Sequence, residues 1–388
     1  MKKLIYLIVI VSFIDMFSQL PIMSPFAQSL GATHVLIGSI IGMYSLSNMI
    51  GNMLSGYFID KIGPKTVLVI GLSITGLIVS FYVFVSTPGQ LLVVRFFHGL
   101  SAGFLVPAAF TLLSFISKSD QQGKSMALSG AAVGISAILG PAFGGIVASS
   151  FGINFVFIPI SITMVLMALL VSVYLTRTPT SDSGDESLHL AEAIKLIKTP
   201  VLFVGYVGAF SLMFAQGVLA YMLPLKVEDL GYGSHFSGLL LSTFGIVAIM
   251  IFMLPTNRIF DRYSHTKMLV VGLVIIAISL TGLSFTSKLE LLFIVMTCYG
   301  IGFAILFPSL TTLMIKNSSK AARGKVFGLF YAFFSLGVVA GSSITGLLSV
   351  DYNEGFVIGG AALLINTLFI SYLIRKYTFT KSLNHTNQ

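Results

Sequence analysis

Long apolar runs alternate with short polar connections along the whole chain. Twelve runs, near residues 3–29, 35–58, 66–86, 89–117, 123–148, 152–176, 200–225, 235–256, 267–286, 289–315, 326–348 and 355–374, predict twelve helices. Each meets the roughly 18–20 residues that a helix needs to cross a hydrocarbon core. The first run follows Lys2-Lys3 and could be taken for a secretion signal. A signal's apolar core spans only ~7–15 residues and ends at a small-residue cleavage site. This run is longer, contains Asp15 and meets no such site, so it reads as span one. The pattern predicts an all-α membrane protein of twelve transmembrane helices.

Composition agrees. The 388 residues are 56% hydrophobic and 9% charged, with a mean hydropathy of +0.98. Soluble domains carry about 25% charged residues, so this chain cannot clothe a water-facing surface of its size. Trp is absent, which leaves Tyr as the interfacial aromatic anchor. Cys298 is the one cysteine, which excludes an internal disulfide and a multi-Cys metal site. No metal or cofactor is expected.

The net charge of +9 would suit nucleic acid, but its placement does not. With the connections numbered alternately inside and outside from the Lys2-Lys3 end, nineteen of the 22 Lys and Arg fall inside. Only Lys226 and Lys288 fall outside, and Arg95 lies within a span. That split follows the positive-inside rule. It predicts an even span count, both termini in the cytoplasm, and a multi-pass protein of the cell membrane. A basic nucleic-acid patch would not alternate loop by loop.

The two halves repeat. Asp60 matches Asp261, Pro107 matches Pro308, Gly123-Lys124 matches Gly324-Lys325, and Gly140 and Gly145 match Gly341 and Gly346, all at an offset of 201 residues. Gly38 and Gly238 differ by 200. Six spans per half give both copies the same orientation, a parallel repeat about an axis along the membrane normal, with a binding site expected near the midplane between copies. The expected domains are a six-helix bundle over 1–176, a cytoplasmic loop over 177–199, a second bundle over 200–376, and a cytoplasmic tail over 377–388. Within the loop, 177–186 has linker composition. Ser187 to Lys198 places Leu190, Ile194 and Ile197 opposite Glu192, Lys195 and Lys198, the pattern of a short interfacial helix.

The connection between spans two and three reads Gly56-Tyr-Phe-Ile-Asp60-Lys61-Ile-Gly63-Pro-Lys65. It resembles the loop signature of the major facilitator superfamily, Gly-x-x-x-Asp-Arg/Lys-x-Gly-x-Arg/Lys. The resemblance covers the whole chain and implies the family's fold of two parallel-related six-helix bundles. Gly56 is expected to permit close helix approach and Gly63 to supply a tight turn. Asp60 would face the N-terminus of span eleven near Arg323 and Gly324, where the helix dipole favours an anion. The resemblance implies a conformational latch made of Gly56, Asp60, Lys61, Gly63 and Lys65, with Asp261 and Arg262 as its members in the second copy. The second copy keeps Asp261 and Arg262 but loses both glycines.

Span four carries Arg95-Phe-Phe-His98-Gly99, and an Arg with a Gly four residues later is similar to the drug/proton antiporters of that family. The second half has Met296 in place of Arg95, so the fold does not demand the charge. An Arg inside a span costs roughly 2.5–3.5 kcal/mol. Asp15, the one acid in the interior of a span, lies at a similar depth and is its natural partner, directly or through a relay. Burial disfavours the charged form of a carboxylate and a nearby cation favours it, which suits Asp15 to exchanging a proton with Arg95 as modulator. His98 lies on the same stripe as Arg95. Histidine can relay protons, but with no acidic sequence neighbour this one reads as a hydrogen-bonded packing residue.

Span five contains Gly130, Gly134, Gly140, Pro141, Gly144 and Gly145. The pairs 130/134 and 140/144 form small-residue faces for close helix contact, and Pro141 removes a backbone donor. Gly-Pro-x-x-Gly-Gly resembles the antiporter motif of exporters in the family, with Ser136 where that motif usually has a further glycine. Gln19, Asn48, Gln216, Tyr221 and Tyr299 are polar residues within spans and candidates for a substrate cavity. Gln216 matches Asp15 under the repeat.

Gly123-Lys124-Ser125 lacks the preceding strand and glycine of a phosphate loop, so no nucleotide is expected. No hydrolase or metalloprotease motif occurs, and the chain does not read as an enzyme. The sequence thus reads as a proton-coupled antiporter exporting a small amphipathic or hydrophobic compound, such as a drug or metabolite. It would work as a monomer in a bacterial plasma membrane. The alternatives are a proton-coupled uptake symporter for a sugar or organic metabolite, and a non-transporting receptor or assembly factor.

Overall fold

The computed structural model describes residues 2–116, 122–175, 190–253, 264–318, 322–348 and 350–386. Among them are eleven helices long and apolar enough to cross a membrane, and a bent pair that makes the twelfth. No strand occurs among the described residues. Spans two, three and six are His34–Ile62, Pro64–Phe81 and Asn154–Tyr174. Span five is Gln122–Phe151, and spans seven and eight are Pro200–Asp229 and Ser234–Met253. Spans nine to twelve are His265–Ser284, Leu289–Lys316, Arg323–Leu347 and Tyr352–Thr386. The last helix thus runs on through 377–386, which the sequence pattern assigned to a tail. A short helix, Leu190–Ile197, stands where the interfacial helix was expected, with Ile194, Lys195 and Lys198 exposed. Residues 177–189 lie outside the described residues.

Two expected single helices are broken, each beside a proline. Span one is Lys2–Ser18 followed by Met23–Ser29, bent by 44°. Pro21 sits in the break and has no backbone donor to continue the ladder. Leu20 N instead closes onto Phe17 O at 3.2 Å and Ile22 N onto Gln19 O at 3.3 Å. Span four is Pro88–Ala102 followed by Leu105–Ile116. There Pro107 cannot donate to the Gly103 carbonyl, and the turn at Gly103-Phe104 tightens, with Phe104 N on Ser101 O at 3.1 Å. Span four opens on a capping box: Gln90 N donates to Thr87 Oγ1, and Thr87 N donates to Gln90 Oε1.

The chain forms two compact units. One holds Met1–Asp185, Ala220–Gly245 and Gly346–Ser349; the other holds Glu186–Leu219, Ile246–Thr345 and Val350–Gln388. In the first unit span one packs on span five, span two on span four, and span three on span six. Glycines make these approaches possible. A Cβ on Gly99 would run into the Tyr44 carbonyl and Ser47 Oγ, and one on Gly103 would lie 2.6 Å from Asn48 O. The same unit contains two related crossings. A Cβ on Gly145 would lie 3.0 Å from Gly238 Cα, and one on Gly346 would lie 3.1 Å from Gly38 Cα. Gly145 and Gly346 are repeat mates, as are Gly38 and Gly238, so the duplication builds one contact twice. In the second unit span nine packs on spans ten and twelve, and Gly337 and Gly341 of span eleven lie against the Phe210 and Phe214 carbonyls of span seven.

Candidate functional site

The first unit encloses a polar cluster inside its apolar core. Asp15 and Gln19 are one helical turn apart, as are Arg95 and His98, so each pair shares a face. The glycine-lined contact of spans two and four brings Arg95 against span two. Its Nε donates to the Ile40 carbonyl at 3.2 Å, and its guanidinium lies over the Tyr44 ring, 4.6 Å from the centroid. Arg95 Nη1 donates to Gln19 Oε1 at 2.6 Å. Gln19 Nε2 in turn donates to Asp15 Oδ1 at 2.9 Å. The polar link between the span-one acid and the span-four cation therefore runs through the Gln19 amide.

The other carboxylate oxygen, Asp15 Oδ2, faces His98 Nε2 at 2.9 Å. His98 Nδ1 lies 3.0 Å from the hydroxyl of Tyr82, at the C-terminal end of span three. Tyr44 meets the imidazole edge-on with centroids 5.0 Å apart, and Tyr82 stacks on Phe157 of span six at 4.4 Å. Asp15 and His98 are both 0% exposed, and Arg95 only 6%. His98, which has no acidic neighbour in the sequence, meets its acid on another helix, 83 residues away in sequence. With both ring nitrogens engaged, the arrangement that satisfies every group has Nε2–H donating to the carboxylate and Nδ1 accepting from Tyr82.

The duplicate positions are neutral. Gln216 stands for Asp15 and Tyr299 for His98, and Tyr299 donates to Gln216 Oε1 at 3.3 Å. Met296 replaces Arg95, Leu283 replaces Tyr82 and Ala220 replaces Gln19. The fold keeps the same juxtaposition in both copies but gives it charge in only one.

The remaining cavity candidates tie helices together. Asn48 donates to the Gly99 carbonyl at 3.3 Å and accepts from Asn52. Tyr221 donates to the His34 carbonyl at 3.2 Å and lies 3.1 Å from His34 Nδ1.

In the loop after span two, Gly63 ends one helix and starts the next at φ 81°, ψ 149°, a conformation open to glycine. Lys65 Nζ donates to Ser172 O at 2.8 Å and to the Leu175 carbonyl, where span six ends with unpaired acceptors. Lys61 lies 5.7 Å from the Tyr57 ring centroid. A Cβ on Gly56 would meet no atom of the described residues within 4 Å. Asp60 is exposed at the end of span two. The side chains of Arg323 and Gly324, and all of Asp261 and Arg262, lie outside the described residues.

Span five uses its glycines unequally. A Cβ on Gly140 would lie 2.6 Å from Phe17 Cβ, and one on Gly144 would run into the Ser18 carbonyl. Gly134 is half-buried, whereas a Cβ on Gly130 would meet no atom of the described residues within 4 Å. Ser136 Oγ donates to the Ile10 carbonyl at 3.0 Å, so this face seats span one. Gly145 takes the opposite side against span eight. Ser242 Oγ donates to the Ile138 carbonyl at 2.6 Å. Gly245 approaches the carbonyl of Ala137, the one Pro141 leaves without its helical donor.

The sequence profile described as the Major Facilitator Superfamily matches residues 5–234 and again 205–388. Multidrug resistance protein MdtG of Enterobacter lignolyticus is 26% identical over 372 residues, covering 92% of this chain and 88% of that protein. An MFS-type transporter of Methanocaldococcus jannaschii is 25% identical over 338 residues, covering 85% and 86%. The fold is similar to the crystal structure of a bacterial homolog of the human lysosomal transporter Spinster, with a TM-score of 0.81, 14% identity and coverage of 98% and 97%. It is also similar to a mutant of nucleoside transporter NupG, with a TM-score of 0.82, 14% identity and coverage of 96% and 99%. The duplicated spans, the loop after span two and the profile match over both halves lead to one assignment: the chain belongs to the major facilitator superfamily of membrane transporters.

Proposed function

We propose that the protein is a proton-coupled exporter of small amphipathic or hydrophobic compounds, with Asp15 as the residue that takes up and releases the coupling proton. The observation that carries this reading is the one-sided cluster. A buried acid is joined through Gln19 to a buried Arg95 in the first half, while the second half holds the same positions with Gln216 and Met296. A charged cluster needed only for packing would be expected in both copies or in neither. Ionisable groups inside membrane spans are costly and mark ion pathways. The similarity to multidrug resistance protein MdtG supports export of drug-like solutes, as does a span five that keeps Gly140, Pro141, Gly144 and Gly145.

In this reading the halves 1–176 and 200–376 rock about a shared site near the midplane, and both termini face the cytoplasm of a bacterial cell. The loop after span two latches the cytoplasmic side, and one chain suffices. Protonation of Asp15 removes the anion that the Gln19 amide, itself bound by Arg95, holds, and so changes the relative stability of the two orientations. The test is proton movement in everted membrane vesicles that hold an acid interior. Adding a panel of lipophilic cations and neutral amphiphiles should discharge the gradient in vesicles containing this protein and not in control vesicles. Accumulation of a solute by intact cells, driven by the inward proton gradient, would overturn export in favour of uptake.

A further inference from the structure

We propose that the coupling proton is held jointly by Asp15 and His98, with Tyr82 as the positioning residue that presents the imidazole. This deepens the proton-coupled reading and rests on it. His98 Nε2 and Asp15 Oδ2 are 2.9 Å apart with both residues sealed from solvent, so one proton can sit on either partner with little heavy-atom movement. The groups facing the pair are Gln19 on span one, Tyr44 on span two, Tyr82 beyond span three, and Arg95 on span four. On span six the Phe157 ring lies behind Tyr82.

The step balances without any co-reactant. A proton arriving at Nδ1 makes an imidazolium, and Nε2 then passes its own proton to Oδ2. The imidazole ends neutral with its proton on Nδ1, the Tyr82 oxygen becomes the acceptor of that N–H, and Asp15 ends as the neutral acid. Release runs the same path backwards. Charge decides why the two residues must act together. Imidazolium beside the Arg95 guanidinium is tolerable only while Asp15 is an anion between them, and a lone carboxylate would lack the basic nitrogen that meets the incoming proton. The second-half pair, Tyr299 and Gln216, is hydrogen-bonded at the same place with no basic nitrogen. Holding spans one and four together therefore does not explain a histidine at 98.

Infrared difference spectroscopy of the purified full-length protein, titrated with acid and base alone, reads the site without a transported compound. The carboxylic C=O band that disappears in Asp15→Asn belongs to Asp15. In His98→Gln, whose amide keeps a donor for Asp15 but adds no basic nitrogen, the midpoint for proton uptake at that band should move to lower pH by about one unit or more. Tyr82→Phe should move it the same way by less. The histidine ring bands of the unaltered protein should change in step with the carboxyl band and lose that change in Asp15→Asn. A carboxyl midpoint unchanged in both His98→Gln and Tyr82→Phe would overturn the shared proton while leaving Asp15 as carrier. Absence of any Asp15 band change across the titration would instead overturn the proton-coupled reading itself.

Discussion

At the scale of single residues, the core chemistry is the placement of the Arg95 cation in a low-dielectric interior. Roughly 2.5–3.5 kcal/mol opposes an Arg inside a span. Arg95 offsets this with a charge-assisted bond to Gln19, a second to the Ile40 carbonyl, and the face of Tyr44. Gln19 is the shared member, because its amide serves the acid and the cation together. Gln19→Leu should therefore cost about 1.5–3 kcal/mol of stability, the scale of bonds to charged groups. Gln216→Leu, which removes a neutral bond to Tyr299, should cost about 0.6 kcal/mol. Thermal unfolding of the two variants in the same detergent checks this, and equal losses would contradict it. Part of this cluster is legible in the sequence: Asp15 and Gln19 share a helical face, and Arg95 stands out by its charge. His98 is not legible as Asp15's partner, because nothing local in span four predicts a contact with span one. Tyr82 is equally hidden at the end of a third helix. The repeat sets Gln216 and Tyr299 at the positions of Asp15 and His98, but the contact between them is visible only in the structure.

At the scale of helices, glycine spacing predicts that span five is a packing element but not which glycines do the packing. Gly140 and Gly144 seat span one, Gly145 seats span eight, and Gly130 meets nothing within 4 Å among the described residues. Gly144→Leu should drive a side chain into the Ser18 backbone at an overpacking cost of about 1–3 kcal/mol or more. Gly130→Leu, on the same helix, should be tolerated. Size-exclusion profiles of the two variants extracted from membranes distinguish them, and a monodisperse Gly144→Leu peak of normal yield would contradict the packing described. The breaks in spans one and four escape a reading based on apolar length alone, since Pro21 and Pro107 sit inside continuous hydrophobic runs. A helix ladder needs donors as well as apolar side chains, and hydropathy counts only the latter.

At the scale of the whole molecule, span number and the duplication follow directly from the apolar runs and from the recurrence of Gly, Pro and Asp at one offset. The division into compact units does not, because Ala220–Gly245 and Gly346–Ser349 join the unit built on the first six spans. Those contacts depend on Gly145 meeting Gly238 and Gly346 meeting Gly38, which sequence spacing cannot pair across halves. The charge distribution makes a further prediction. After replacement of the exposed Cys298, single cysteines placed in 177–199 and near the C-terminus should be labelled from the cytoplasm. One placed at Gly231 should be labelled from outside. Ends labelled from opposite faces would contradict the topology.

The account turns on Asp15 as the point where proton movement meets solute movement. The most direct measurement reconstitutes the unaltered protein and Asp15→Asn in liposomes, with a compound that discharges the vesicle gradient, and imposes a pH difference across the bilayer. The unaltered protein should drive that compound against its gradient, and Asp15→Asn should remain folded and inserted but lose this driven flux. Driven flux at the unaltered rate in Asp15→Asn would contradict the account.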